Sequence, residues 1–229
     1  MIQRAILGRN PPDPMAYVKQ IARPIALNQL ERDINRCNNC TLCKDFIIQL
    51  HRNTDAPILV LTESVDEMQS TQKVVRPFEG ALGSEAFTTV IDHYRVPRDL
   101  FYFANVVNGY PCKDVDGNRI GRVPKTNEIE ACKPFVEKLI ALIEPKMILL
   151  LGSSALNAFK KEAITKFRGT LFTINGIPSI ATYHPAYFKH IEGRKSKSEI
   201  DDLKNDFIAD LYQSFEYFEE HYYPIMKGE

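Results

Sequence analysis

Short apolar runs alternate with helix-length segments through the middle of this 229-residue chain. In chain order they are an apolar run at 58–61, an amphipathic stretch at 84–94, a run at 100–107, a helical stretch at 126–143, a run at 147–151, a helical stretch at 153–160 and a run at 180–183. Strands separated by helices of this length form parallel sheets covered on both faces. We therefore predict an α/β fold, three layers in α/β/α order with a mostly parallel central sheet, whose ligands bind at the carboxyl ends of the strands.

The two ends of the chain differ from this middle. Residues 1–25 carry four prolines and no sustained periodicity, which predicts an N-terminal arm. The domain itself is predicted at 26–197, beginning with a short helix at 26–36. At 198–229 the pattern indicates an amphipathic, acidic C-terminal helix that packs on the domain or extends from it. Its apolar positions recur at steps of three and four: Ile200, Leu203, Phe207, Leu211, Phe215 and Phe218.

The composition of the chain bears on its cellular location and on the partners that it can bind. Apolar residues make up 44% of the chain and charged residues 25%, the usage of an ordinary folded protein. No apolar stretch approaches the roughly 20 residues of a membrane span, and prolines stand where a signal core would be, so we expect a cytoplasmic protein without a membrane partner. The 29 basic and 29 acidic residues cancel, so a nucleic acid would have to meet a local basic patch. One candidate patch is formed by Lys189, Arg194, Lys195 and Lys197.

Five cysteines in a chain of this kind indicate a metal centre. Disulfides rarely persist in a reducing compartment, so we expect four of the five thiols to be metal ligands. Cys37, Cys40 and Cys43 are spaced closely enough to converge on one metal, whereas Cys112 and Cys132 would meet only through tertiary structure. An all-thiolate site favours zinc or an iron–sulfur cluster, and spacing does not distinguish these two. Spacing also leaves two equally good pairs open, Cys37 with Cys40 and Cys40 with Cys43.

An ordered series of motifs lies at the ends of the predicted strands and in the segments between them. They are Cys37-x-x-Cys40-x-Leu42, Glu63, Arg76-Pro77-Phe78-Glu79-Gly80, Asn105-Val106-Val107, Ile129-Glu130-Ala131-Cys132-Lys133-Pro134, Leu151-Gly152 and Thr182-Tyr183-His184-Pro185-Ala186-Tyr187. In this order they resemble the iron–sulfur uracil-DNA glycosylases, family 4 of that superfamily. The resemblance covers residues 33–189, about two thirds of the chain.

The resemblance implies an enzyme of DNA repair by base excision. Such an enzyme hydrolyses the N-glycosidic bond of uracil after flipping the nucleotide into a pocket. Catalysis then falls to Glu63, a carboxylate near the sugar and the water, and to His184, a donor near uracil O2. Phe78 would stack on the base, and the Asn105 amide would read O4 and N3–H of uracil while opposing the reversed pattern of cytosine.

The same resemblance implies a bound metal cluster. The cofactor would be a four-iron four-sulfur cluster held by Cys37, Cys40, Cys112 and Cys132, with zinc as the alternative. Cys43 is then a buried apolar side chain or a spare thiol.

Partners follow from the expected activity. Tyr187 and Phe188 would wedge into the DNA where the base leaves, and Lys189 would meet a phosphate. We expect a monomer that binds uracil-containing DNA, with a replication or repair protein as a candidate partner of the C-terminal helix.

The chain departs from the family pattern around the predicted catalytic carboxylate. The family has Gly-Glu-Ala/Gly-Pro-Gly, whereas this chain has Thr62-Glu63-Ser64-Val65-Asp66, without the glycines that allow close backbone approach. The residue that excludes the thymine methyl group has three candidates: Asp66, Glu67 and Gln69. An alternative function is a catalytically weak module that binds DNA or a replication partner, and a third is a zinc-stabilised binding domain.

Overall fold

The computed structural model describes residues 14–42 and 45–227. The strands are β1 (Ile47–Ile48), β2 (Ile58–Ser64), β3 (Val74–Val75), β4 (Phe101–Val107), β5 (Cys112–Val115), β6 (Asn118–Gly121), β7 (Met147–Leu151), β8 (Leu171–Ile174) and β9 (Ile177–Thr182). The helices are α1 (Pro14–Arg36), α2 (Glu67–Ser70), α3 (Ser84–His93), α4 (Thr126–Ile143), α5 (Ser153–Asn157), α6 (Ile164–Phe167), α7 (Ala186–His190) and α8 (Lys197–Lys227), and a 3₁₀ turn lies at Arg98–Leu100.

The central sheet has five strands in the order β4-β2-β7-β9-β8. The first four are parallel: Ile58 of β2 lies in register with Phe101 of β4 on one side and with Met147 of β7 on the other. Only the edge strand β8 runs antiparallel to its neighbour β9, which it meets through a tight turn with positive φ at Asn175 and Gly176. The predicted α/β fold with a mostly parallel sheet is confirmed.

Helices cover both faces of this sheet because alternate side chains of each strand point to opposite sides. On one face, Leu59 and Leu61 of β2 belong to a buried cluster with residues of α1 and α4. On the other face, Ile58 and Val60 pack in a second cluster with Phe87 of α3 and residues of α8. These two clusters are the cores between the three layers.

The first helix begins earlier than the pattern predicts. Residues 14–25 of the predicted arm are helical, since α1 runs from Pro14, and a proline is tolerated in a first helical turn, where its missing N–H has no partner to lose. Arg23 ties this part of α1 to the body through ion pairs with Asp55 and Glu144. Residues 1–13 of the arm lie outside the described part of the chain, and the proposed domain limits stay a prediction.

The last helix is a single element of 31 residues. It extends past the apolar pattern at 200–218, and its side chains Phe207, Leu211 and Phe218 are buried against the sheet. None of the helices in the described ranges is long and apolar enough to cross a membrane.

Candidate active site

Three of the predicted site residues lie at the carboxyl edge of the central sheet. Glu63 is next to last in β2, Asn105 lies near the end of the neighbouring strand β4, and His184 is the second residue after β9. Phe78 reaches the same place from the loop after β3, since its ring lies 6.1 Å from the His184 ring, edge to face at 89°. The parallel order of the strands thus assembles residues that are far apart in the sequence.

Phe78 is held rigidly in an unusual backbone conformation. It is buried, and its φ of 65° lies in the left-handed region that few non-glycine residues adopt. Its ring stacks on Phe103, with centroids 5.2 Å apart and planes within 19°. The buried Gln69 braces the loop, because its Nε2 donates to the carbonyl oxygens of Arg76 at 3.0 Å and Glu79 at 3.1 Å.

Two of the three candidates for excluding the thymine methyl group have structural roles in this loop. Asp66 caps α2 by accepting from the backbone N–H of Gln69 at 2.8 Å, and its second oxygen accepts from the N–H of Leu82 at 2.5 Å. Gln69 is the brace of the Phe78 loop, whereas Glu67 is exposed. The assignment of the excluding residue stays a prediction.

The Asn105 side chain is buried and only half satisfied. Its Oδ1 accepts a hydrogen bond from the hydroxyl of Thr62, the residue beside it in register on β2. Its Nδ2 is buried and has no hydrogen-bond partner among the residues that the structure describes. Buried polar atoms in folded proteins nearly always have a partner, so an orphaned amide group at the edge of a sheet indicates a place for a ligand. Sequence reasoning did not identify Thr62 as a partner of Asn105.

Glu63 is held by a serine on the neighbouring element. Ser154, buried near the start of α5, donates from its hydroxyl to Oε2 of Glu63 at 2.6 Å. Burial raises the pKa of Glu63, while the hydrogen bond from Ser154 and the nearby His190 act in the opposite direction. Ser154 follows strand β7 by three residues, the same kind of position that pointed to Asn105 and His184, yet sequence reasoning missed it.

The His184 ring is neutral and its tautomer is fixed. Its Nδ1 accepts from the backbone N–H of Ala186 at 3.2 Å, so the single proton of the neutral ring sits on Nε2. Burial, together with His190, lowers the pKa of His184 to about 4. Gly152, with φ of 93°, allows the close approach, because a Cβ there would lie 2.9 Å from that of His184. The ring therefore offers one N–H donor.

An ion pair lies behind the strand that leads to His184. Asp210 of α8 is 4% exposed and accepts from the hydroxyl of Thr182 at 2.7 Å. The guanidinium of Arg168 donates to both oxygens of this carboxylate, at 2.9 and 3.0 Å. The long C-terminal helix is thereby tied to the end of β9.

The fold exposes two of the residues predicted to touch DNA and buries the third. Tyr187 is 38% exposed and stacks on Tyr183, with centroids 6.0 Å apart, and Lys189 is exposed on the same short helix α7. Phe188, in contrast, is 4% exposed and packs edge to face on Phe207 of α8. The prediction that Phe188 wedges into DNA is therefore corrected, because helix α7 turns this side chain into the core.

The predicted metal ligands lie on three segments that share one core. Cys132 of α4 is buried there, and Cys112, at the start of β5, packs against the same cluster as Leu42. A Cβ at Gly109 would lie 2.9 Å from that of Leu42, so the segment after Cys40 rests directly on the chain that follows β4. Within residues 14–42 and 45–227 no three His, Cys, Asp or Glu side chains are grouped so that they could hold a metal ion. Cys43 lies outside the described residues.

Comparison with known proteins agrees with the motif order. The model of the uracil DNA glycosylase superfamily matches residues 51–208. The chain is similar to the type-4 uracil-DNA glycosylase of Thermotoga maritima, with 31% identity over 161 residues that make up 66% of this chain and 79% of the relative. It is also similar to the enzymes of the same name from Saccharolobus solfataricus, at 27% over 172 residues (70% and 76%), and Sulfurisphaera tokodaii, at 28% over 173 (70% and 74%).

Proposed function

The chain belongs to the uracil-DNA glycosylase superfamily, whose enzymes hydrolyse the N-glycosidic bond of uracil in DNA, and we propose that Glu63, Asn105 and His184 carry out this reaction. The observation that carries the assignment is the orphaned Nδ2 of Asn105, buried at the edge of the sheet where Phe78 and His184 also meet. An amide donor, an aromatic ring and a neutral imidazole in one place match the face and the polar edge of a uracil base.

Base recognition rests on Phe78 and Asn105. One face of the Phe78 ring is covered by Phe103, and we assign the other face to a uracil that has been flipped out of the DNA. The free Nδ2 of Asn105 would donate to uracil O4. Its Oδ1, which has two lone pairs, would accept from uracil N3–H beside the hydrogen bond from Thr62. Cytosine presents the reverse pattern of donors and acceptors, so the same amide opposes it.

Bond cleavage rests on His184 and Glu63. As the glycosidic bond breaks, negative charge develops on uracil, and the Nε2–H of neutral His184 would donate to O2 and stabilise it. Positive character develops on the sugar, where the Glu63 carboxylate would stabilise it and orient the attacking water. A donor aimed at developing charge contributes about 10²- to 10³-fold to the rate.

DNA would bind to the surface beside the pocket, at α7 and the loop that follows it. Tyr187 is exposed on α7, two residues after Pro185, and we assign to it the wedge that occupies the space left by the flipped base. Lys189 on the same helix, together with Arg194 and Lys197 in and after the following loop, would meet phosphates.

A four-iron four-sulfur cluster fits the chemistry of the thiols. We assign Cys112 and Cys132 as two of the ligands, and Cys37 and Cys40, in preference to Cys43, as the other two. The three segments that carry these residues pack on one core. A bound cluster would cross-link these segments and stabilise that side of the domain. Iron and sulfide content of the purified protein, compared among single Cys→Ser variants at all five positions, tests this. Loss of iron in four variants and retention in one identifies the ligands, and zinc in place of iron would contradict the cluster.

The activity is tested on a labelled oligonucleotide with one deoxyuridine, treated with alkali after incubation. Wild type should produce strand breaks, and Asn105→Ala and His184→Ala should each lower the rate by about 100-fold or more. Absence of breaks with folded, iron-loaded wild type, on both single-stranded and duplex DNA, would contradict the assignment. It would favour the binding module, since the loop of Thr62, Ser64, Val65 and Asp66 departs from the family pattern.

A further inference from the structure

We propose that Thr62 is a specificity-determining residue, whose hydroxyl fixes the orientation of the Asn105 amide so that only a base with a carbonyl group at position 4 is accepted. This inference rests on the proposed uracil pocket and extends it by one residue. Thr62 stands where the family pattern has a glycine, so the hydroxyl is a feature of this chain.

The hydroxyl of Thr62 is directed at Asn105 inside the sheet. Thr62 and Asn105 are register partners on adjacent parallel strands, and their side chains are 1% and 2% exposed. The hydroxyl of Thr62 donates to Oδ1 of Asn105. A hydroxyl carries one proton, so this bond uses the only donor of the Thr62 side chain.

An amide side chain has two orientations of nearly the same shape. In one, the oxygen accepts from Thr62 and lies beside N3–H of the base, while the NH₂ group faces position 4 of the base; in the other, the oxygen and the NH₂ group are exchanged. The hydrogen bond from Thr62 selects the first, which leaves Nδ2 as the buried group without a partner. A base that places an acceptor against Nδ2 satisfies it, whereas a base that places an amino group there leaves two buried donors facing each other.

The selected orientation defines a class of substrate. Uracil has a carbonyl oxygen at position 4 and is accepted; cytosine has an amino group there and is opposed. The discrimination is made by Asn105, but it depends on Thr62, which does not touch the base. Thr62 is therefore a positioning residue.

Removal of the hydroxyl tests this directly. Thr62→Val keeps the shape of the side chain but leaves Oδ1 of Asn105 without its donor, so single-turnover excision of uracil should fall by roughly 10- to 100-fold. Thr62→Ser keeps the hydroxyl and should restore the rate to within about threefold of wild type.

A second substrate separates orientation from general damage. In 4-thiouracil a sulfur atom, a weaker acceptor, replaces O4, so the bond to Nδ2 is already weak in wild type. Thr62→Val should therefore lower excision of 4-thiouracil by much less than excision of uracil. Equal losses on both substrates, or an unchanged rate on uracil, would overturn the inference.

A matched control removes a buried hydroxyl elsewhere in the sheet. Ser179 of β9 is fully buried and donates to the carbonyl of Ile177 at 2.9 Å. Ser179→Ala should lower the melting temperature without changing the ratio of the two excision rates. A wild-type protein that excises neither base would overturn the proposed function and this inference together, which distinguishes that outcome from a failure of Thr62 alone.

Discussion

At the scale of single residues, His184 links protonation to folding. The pKa of His184 is about 4 in the folded protein and 6.5 in the unfolded chain. Between these two pH values the unfolded chain therefore binds a proton that the folded chain lacks. Stability conferred by the neutral ring is therefore complete above pH 6.5 and is lost as the pH falls toward 4.

Replacement of this ring should flatten the dependence of stability on pH. We expect the free energy of unfolding of wild type to rise between pH 4 and 6.5 more steeply than that of His184→Gln, with parallel curves above that range. Urea unfolding at a series of pH values measures this. Glu63, whose pKa is raised, contributes with the opposite sign in both proteins and cancels in the difference. Parallel curves throughout would contradict the assignment of a buried neutral ring.

At the same scale, Ser154 should help to set the pKa of the Glu63 carboxylate. The hydroxyl of Ser154 lowers the pKa of Glu63 against the effect of burial, so Ser154→Ala should raise that pKa further. Since Glu63 acts as a carboxylate in the proposed reaction, the acidic limb of the rate profile should move to higher pH. Ser153→Ala, at an exposed neighbouring position, serves as the control and should leave the profile unchanged. An acidic limb that does not move in Ser154→Ala would show that Glu63 does not set it.

At the scale of elements, the strands with apolar runs were predictable and the short, exposed strands were not. Strand β7 and helix α4 have the bounds that their patterns predict, because β7 is a fully buried apolar run and α4 has one buried face at helical spacing. Strand β8 was missed because it is a short, half-exposed edge, and the β5–β6 hairpin was missed because nearly all of its side chains are exposed. Elements without a buried face leave no apolar period to read.

The same distinction applies within the site. The placement of Glu63, Asn105 and His184 at one edge of the sheet could be predicted, because each lies near the end of an apolar strand or shortly after one. The contacts of Thr62 and Ser154 could not, although Ser154 also follows a strand, because these contacts depend on which strands become neighbours and in which register, and that is decided by tertiary packing.

Helix α8 should depend on one charge for its attachment to β9. Asp210→Asn removes the charge from a buried carboxylate that binds both Arg168 and Thr182, and we expect a loss of roughly 3 kcal/mol in the free energy of unfolding. Asp206→Asn is the matched control: it contacts the same arginine from an exposed position, and its loss should stay below about 1 kcal/mol. Urea denaturation compares the two, and equal losses would contradict a buried role for Asp210.

At the scale of the whole molecule, the net charge is zero, so electrostatic attraction to DNA has to come from a local basic patch. Lys189→Gln combined with Lys197→Gln should weaken binding to single-stranded DNA and reduce the slope of log affinity against log salt by about 1.4. Lys138→Gln with Lys146→Gln removes equal charge from exposed positions on α4 and before β7, away from the carboxyl edge, and should leave the slope unchanged. A salt titration by fluorescence anisotropy measures both, and equal slopes would contradict the patch.

The place of α8 in the chain has a consequence for synthesis. This helix covers one face of the sheet and is made after every strand of it. At ribosomal rates its 31 residues take roughly 2 to 6 seconds to add, and for that time the nascent sheet has an apolar face that α3 covers only in part. Chaperones that hold nascent chains would have their main binding opportunity in this interval, and ribosomes stalled within the last helix would release a chain that aggregates instead of an active enzyme.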